Sequence, residues 1–91
     1  MEGTASRKVP DGKLVSVRVT YDERITDCVV RGDFFLEPPE ALNDIERAVE
    51  GLPTGASVDR VAAAVAAVDA TLVGFDATDV GRAVRAALDD D

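Results

Sequence analysis

The period of the hydrophobic pattern changes at Pro38-Pro39, and this change limits the folds open to the chain. Before the two prolines, apolar residues tend to alternate with polar ones. After them, apolar residues recur every three or four positions. The first spacing is typical of strands and the second of helices. Proline cannot donate to a sheet ladder, so the pair also ends the strand before it. The sequence therefore predicts a sheet followed by helices.

The part before the prolines predicts three short strands. In Leu14–Tyr21, every second residue is valine or tyrosine, which is typical of a half-buried strand. Residues 25–31 are rich in Ile, Thr and Val and form a natural hairpin partner. Gly32 interrupts the pattern, and residues 33–37 give a third extended segment. Three sequential strands with short connections predict an antiparallel meander.

The part after the prolines predicts three helices. Leu42, Ile45 and Val49 recur at helical spacing. Ser57 is a suitable N-cap for a second helix, and Asp76 for a third that runs to about residue 88. The order predicts an α+β fold, a three-stranded antiparallel sheet followed by three helices packed on one face. We expect residues 1–91 to form a single domain, with residues 1–6 and 89–91 flexible.

Composition excludes several classes of function. The net charge is −8, which disfavours nucleic acid as a partner because binding it requires clustered cations. Histidine is absent, so the commonest general base and metal ligand is missing. Cys28 is the single cysteine, and its place between Asp27 and Val29 in a predicted strand favours a structural role. We expect no catalytic residues, no metal site, no membrane span and a cytoplasmic location.

The types and the distribution of the charged residues also indicate a possible source of the protein. Arginine far outnumbers lysine, and acidic residues occur along the whole chain. This composition resembles that of proteins from halophilic archaea, in which high salt screens the repulsion between carboxylates. An acidic protein from a high-GC mesophile is the alternative.

Residues 31–35, Arg-Gly-Asp-Phe-Phe, contain two candidate signals. The Arg-Gly-Asp tripeptide matches an adhesion motif, but it lies between apolar strands and is interpreted as a coincidence. Phe34 and Phe35 point to opposite sides of a regular strand, so one ring enters the core and the other faces a partner or solvent. Both rings are buried in the alternative, in which a bulge at Gly32 re-aims the chain. We therefore take Gly32, Asp33, Phe34 and Phe35 as partner-interface or core residues.

Lys13 is one of two lysines and follows Gly12 at the start of the first predicted strand. A lysine there can discourage pairing of a strand edge. It can also hold a cation at a turn to meet a phosphate or carboxylate. The residues alone leave both interpretations open.

Three segments in this order resemble a known family. They are residues 8–15, Lys-Val-Pro-Asp-Gly-Lys-Leu-Val, residues 32–36, Gly-Asp-Phe-Phe-Leu, and residues 72–75, Leu-Val-Gly-Phe. The pattern resembles the C-terminal accessory domain of lipoate–protein ligases, which is a separate small protein in many archaea. The resemblance extends over roughly residues 8–88. One departure is Asp11, where the family pattern has a glycine.

The resemblance implies a fold like that of iron–sulfur scaffold and sulfur-acceptor domains. It also implies a non-catalytic accessory subunit, which the catalytic subunit requires for ATP-dependent formation of lipoyl-AMP before lipoyl transfer to a lysine of an acceptor domain. The partner would be the catalytic subunit, in a heterodimer, with acceptor domains reached indirectly. The complex would use lipoate, ATP and Mg²⁺, and this chain alone would bind none of them.

Because lysine is scarce and Lys13 follows Gly12 in a turn, we take Gly12 and Lys13 by hypothesis as residues near the substrate or the partner. The alternative function is a scaffold or adaptor domain of similar fold that is unrelated to lipoylation. Its iron–sulfur form is disfavoured, because one cysteine cannot supply the usual thiolates of a cluster.

Overall fold

The computed structural model describes residues 1–9 and 13–89. These residues form five strands and three helices. In chain order the elements are β1 (Glu2–Lys8), β2 (Leu14–Tyr21), β3 (Ile25–Gly32), β4 (Phe35–Glu37), α1 (Ala41–Val49), α2 (Val58–Ala66), β5 (Thr71–Val73) and α3 (Ala77–Leu88). Within the described part of the chain, no helix is long and apolar enough to span a membrane.

The main sheet is antiparallel, with the order β1-β2-β3. The valines of β2 are buried against the helices, as the alternation predicts. Helix α3 packs on β1 and β2, and α1 packs on β3. Helix α2 packs on α1 and α3 instead of directly on the sheet. The predicted α+β fold, with a three-stranded antiparallel sheet and three helices, is confirmed.

The first strand of this sheet differs from the prediction. The sequence predicts flexible residues at positions 1–6, but β1 pairs with β2 along its whole length, from Glu2 opposite Thr20 to Lys8 opposite Leu14. Gly3 lies so close to α3 that an added Cβ would collide with the backbone carbonyl of Ala87. Small residues on β1 therefore permit close packing of the helix, and they leave little hydrophobic alternation in the sequence.

The expected third strand of the meander also pairs elsewhere. The sequence places residues 33–37 beside β3. Instead, Phe35–Glu37 forms β4, which pairs with β5 in a separate two-stranded ribbon. Phe35 lies opposite Val73, and Glu37 lies opposite Thr71. The ribbon thus joins the end of the sheet-forming part of the chain to the segment before the last helix.

The helix starts at Ser57 and Asp76 are confirmed. The Ser57 hydroxyl accepts the Arg60 N–H at 3.1 Å. Asp76 and Asp79 form a reciprocal capping box at the start of α3. The buried Asp79 carboxylate also lies 3.4 Å from Arg7 Nε, which links α3 to β1. At the C-terminal end, Asp89 is described, and residues 90–91 of the predicted flexible tail lie outside the described residues.

Candidate functional site

The three segments that carry the family resemblance meet at one corner of the fold. The Lys13 side chain lies against Gly74, where an added Cβ would approach Lys13 Cγ to 3.0 Å. The Asp33 carboxylate accepts the Leu14 N–H at 2.7 Å. The Phe34 and Phe75 rings stack with centroids 4.1 Å apart. We call residues 8, 13–14, 31–35 and 73–75 the corner surface.

The polar contacts of the corner fix the start of β2. The Lys13 carbonyl accepts the Val9 N–H at 2.9 Å, so residues 9 and 13 are held together. The pKa of Asp33 is lowered, chiefly because its carboxylate accepts the Leu14 N–H, with a smaller contribution from the charge of Lys13. Asp33 is therefore an anchor between the start of β2 and the end of β3. Gly12, which the sequence places beside Lys13, lies outside the described residues.

The inner half of the corner is an aromatic pair over a glycine. Phe34 is half-buried and its ring is tilted by 32° from that of the buried Phe75. A Cβ at Gly32 would collide with the Leu14 carbonyl and would lie within 2.6 Å of two Phe34 ring atoms. Gly32 is thus required for close approach of the Phe34 ring to the end of β3.

The outer half of the corner exposes apolar side chains. Phe35 is 71% exposed, and Val73, its partner in the ribbon, is 51% exposed. Leu14 is also exposed, at 42%. Among the described residues, Met1 is the one other exposed large hydrophobic residue. Of the two phenylalanines, Phe34 is therefore the inner ring and Phe35 the outer one, and the alternative in which both are buried is wrong.

Two hollows meet at the corner. An apolar groove of about 420 Å³ runs beside Phe35, with Leu36, Pro39 and Leu42 in its wall. A second hollow, of about 470 Å³, lies on the face of the main sheet opposite the helices, beside Ser6 and Ser16. Arg31 lines both hollows, so it connects the apolar groove to the polar face of the sheet.

The described residues offer no reactive centre. Burial, with a smaller contribution from Glu46, Glu50 and Asp27, raises the pKa of the Cys28 thiol to about 12. At neutral pH this thiol is protonated and a poor nucleophile. No group of three or more His, Cys, Asp or Glu side chains that could hold a metal ion occurs within residues 1–9 and 13–89. The corner surface instead combines exposed apolar side chains with nearby cations.

Sequence reasoning identified part of this surface. Lys13 and residues 32–35 are among the candidate residues, and the structure brings them together. Leu14, Arg31 and Val73 were not identified. Leu14 carries a recognisable signal, because it is an apolar residue on the otherwise polar face of its strand. Val73 carries no such signal, since its place opposite Phe35 follows from a long-range pairing.

Comparison with known proteins identifies a similar fold. No family model matches the chain, and no curated protein matches it. A chain in the structure of an archaeal lipoylation system from Thermoplasma acidophilum, described as a bi-partite lipoate protein ligase and its E2 lipoyl domain, is 23% identical to this one. The TM-score is 0.77, and the match covers 93% of this chain and 96% of that one. The similarity establishes a shared fold over nearly the whole length of both.

Proposed function

We propose that this chain is the small, non-catalytic subunit of a two-protein lipoate–protein ligase. The observation that carries the proposal is the fold shared, almost end to end, with a chain of a bi-partite lipoylation system. The match covers 96% of that chain, so the relative is a small chain of similar size and not a large one with this domain inside it. The meeting of the three resembling segments at the corner surface supports the same assignment.

In this proposal, the partner supplies the chemistry and this chain completes the closed site. The catalytic subunit binds lipoate, ATP and Mg²⁺ in the cytoplasm and forms lipoyl-AMP. Adenylation rearranges negative charge on phosphates, and such steps depend on oriented groups and on exclusion of water. A docked domain assists by holding mobile loops of the catalytic subunit in the closed arrangement. This division of labour suits a chain that has no histidine.

Reconstitution of the enzyme tests the accessory role. The catalytic chain of a lipoate ligase from the same genome is mixed with lipoate and Mg-ATP, and pyrophosphate release is measured with and without this protein. We expect release to depend on this protein and to saturate at equimolar ratio. Heat-unfolded protein is the control for nonspecific stimulation. A catalytic chain that is equally active alone would refute the proposal in favour of an adaptor unrelated to lipoylation.

Lys13 is the residue of this chain that we place nearest to the reaction. It is a half-buried lysine whose stem lies along Gly74, and this contact limits the movement of its charged end. A cation held in this way stabilises phosphate charge in the closed complex. We expect Lys13→Ala to slow lipoyl-AMP formation roughly 10- to 100-fold, the loss expected for one charge-assisted contact.

Two further variants make the Lys13 test specific. Lys13→Arg retains the charge and should recover part of the rate, whereas Arg60→Ala removes an exposed cation from the start of α2 and should have no effect. Binding to the catalytic chain is measured in parallel at saturating concentrations. Unchanged lipoyl-AMP formation by the saturated Lys13→Ala complex would contradict this role.

The same solved system includes a lipoyl domain, which defines a second candidate function. An acceptor needs a lysine to receive the lipoyl group, and this chain has Lys8 and Lys13. Intact-mass measurement after incubation with ligase, lipoate and Mg-ATP separates the two functions. We expect the mass of this chain to stay unchanged while a lipoyl domain in the same tube is modified. A mass increase of one lipoyl group on this chain would assign it as the acceptor.

A further inference from the structure

We propose that the corner surface is the docking site for the catalytic chain, with Phe35 as an apolar anchor and Lys8, Lys13 and Arg31 as a surrounding set of cations. The partner should present an apolar pocket bordered by carboxylates. This inference rests on the proposed function and adds to it the face that binds and the chemistry of the surface that it meets.

Phe35 has the properties of an interface anchor. Its ring is largely exposed, but its backbone is fixed by pairing with Val73 in the ribbon. The preceding residue, Phe34, is held by stacking on Phe75. The backbone that carries the exposed ring is thus already ordered, so binding has only the side-chain torsions of Phe35 left to fix, which favours affinity. Aromatic residues held in this way commonly contribute a large share of binding energy.

The groove beside Phe35 extends the apolar contact. Leu36, Pro39 and Leu42 form its wall, and Arg31 stands at its edge. Val73 adds apolar surface on the other strand of the ribbon. An apolar centre bordered by charged groups is the usual arrangement of a protein interface. The two hollows that meet at Arg31 make this surface continuous with the open face of the sheet.

The charge of the corner surface indicates the kind of partner surface that it would bind. The chain carries a net charge of −8, yet both of its lysines lie at this end of the main sheet, with Arg31. Lys8 is opposite Leu14 in the ladder, and Arg31 is opposite Ser16. Among the described residues, none of these three cations forms an ion pair. Cations that lie together at one end of an acidic protein favour association with an acidic surface.

The opposite end of the sheet differs in charge. The turn between β2 and β3 contains Asp22, Glu23 and Arg24, all of them exposed, and Asp22 lies 3.7 Å from the Met1 ammonium. Among the described residues of the corner surface, the one carboxylate is that of Asp33, which accepts the Leu14 N–H. The sheet thus has a cationic end at the corner surface and an end of mixed charge at the turn between β2 and β3. An acidic partner is oriented toward the corner surface during encounter, and Phe35 then sets the dissociation rate.

Binding measurements on two variants and one matched control test this inference. Phe35→Ala removes the anchor, and Arg31→Glu reverses a charge at the edge of the groove. Arg60→Glu makes the same charge change on α2, away from the corner. All three positions are exposed, so unchanged thermal unfolding is expected for each. The probe is the catalytic chain from the same genome, titrated calorimetrically at two salt concentrations.

We expect Phe35→Ala to weaken binding at least roughly tenfold at both salt concentrations. Arg31→Glu should weaken binding mainly at low salt, because salt screens exposed charges. Arg60→Glu should bind within about twofold of the wild type. Wild-type affinity for both Phe35→Ala and Arg31→Glu would overturn the docking site while leaving the accessory function intact, provided that the wild type stimulates pyrophosphate release.

The remaining outcomes also discriminate. If the wild type neither binds the catalytic chain nor stimulates it, the proposed function and the docking site both fail. The corner surface could instead bind a second copy of this chain, and light scattering of the protein alone tests this. A dimer that Phe35→Ala converts to a monomer would overturn docking of the catalytic chain in favour of self-association. A monomer in both forms supports the inference.

Discussion

The carboxylate of Glu46 on α1 accepts the backbone N–H of Val30 on β3 at 2.8 Å. A charged side chain of a helix thus accepts a hydrogen bond from the backbone of a strand. Because β3 is an edge of the main sheet, this N–H has no neighbouring strand to bind it on that side. A helix side chain therefore completes the hydrogen bonding of a sheet edge and blocks pairing with another strand there.

Glu46→Ala should destabilise the fold. It leaves the partly buried Val30 N–H without its acceptor, which costs about 1–3 kcal/mol in free energy of unfolding. Glu46→Gln retains an acceptor oxygen and should lose less. Urea denaturation of the wild type and both variants measures the difference. Equal stability of Glu46→Ala and wild type would show that water replaces the carboxylate at no cost.

Truncation of the two adjacent phenylalanines should have different effects on the free energy of unfolding. Phe34→Ala removes the ring that stacks on Phe75 and covers Gly32. We expect a loss of about 2–4 kcal/mol, somewhat below the full-core range because the ring is half-buried. Phe35→Ala should change the free energy of unfolding by less than about 0.5 kcal/mol, because its ring is exposed. Thermal or urea unfolding of the two variants checks this, and similar losses would contradict the inner and outer assignment.

Gly81 and Gly55 form a second matched pair. An added Cβ at Gly81 would lie 2.7 Å from the Val58 carbonyl, so alanine there pushes α3 away from α2. Overpacking of this kind costs about 1–3 kcal/mol and exceeds the gain in helix propensity, which is below about 1 kcal/mol. Gly55 has no atom within 4 Å of the same position. We expect Gly81→Ala to lower the melting temperature and Gly55→Ala to leave it nearly unchanged; a Gly81→Ala protein as stable as wild type would contradict the close packing.

The buried thiol predicts a loss of stability in alkali. Folding raises the pKa of Cys28 from its ordinary value of 9.0 to about 12, chiefly through burial. The unfolded chain releases the thiol proton above pH 9.0 while the folded chain keeps it, so stability falls as the pH rises from 9.0 towards 12. Below pH 9.0 the contribution is fully present.

Cys28→Ala isolates this effect. Unfolding free energies are measured at pH 7 and pH 10 for both proteins. We expect the wild type to lose on the order of 1 kcal/mol more than the variant over this interval. Equal losses would mean that the folded thiol titrates near its ordinary pKa.

Local pattern predicts the central elements of this fold well. Strands β2 and β3 follow from alternation, and the caps of α2 and α3 follow from Ser57 and Asp76. Strand β1 does not follow from pattern, because its inward residues include Gly3 and the charged Arg7. Gly3 is small because the backbone of α3 passes close to it at Ala87, and the charge of Arg7 is matched by the Asp79 carboxylate on α3. Both partners are far away in the sequence, so the local pattern around β1 does not reveal them.

Only part of the candidate site can likewise be predicted from local sequence. Residue type and order identify Lys13 and the two phenylalanines, and period-two reasoning correctly assigns one ring inward and one outward. The neighbours of these residues are determined by pairing of Phe35 with Val73 and by stacking of Phe34 on Phe75. Those contacts join segments far apart in the chain, so local periodicity carries no signal of them.

The ribbon of β4 and β5 closes a loop that contains both α1 and α2. Closing a long loop costs chain entropy that only packing of the enclosed segments repays. We therefore expect the ribbon to form late in folding, after the two helices have packed. Phe35 and Val73 then come together only after α1 and α2 have packed. We therefore expect a partner that binds this pair of residues to bind the folded chain and not one in which the loop is still open.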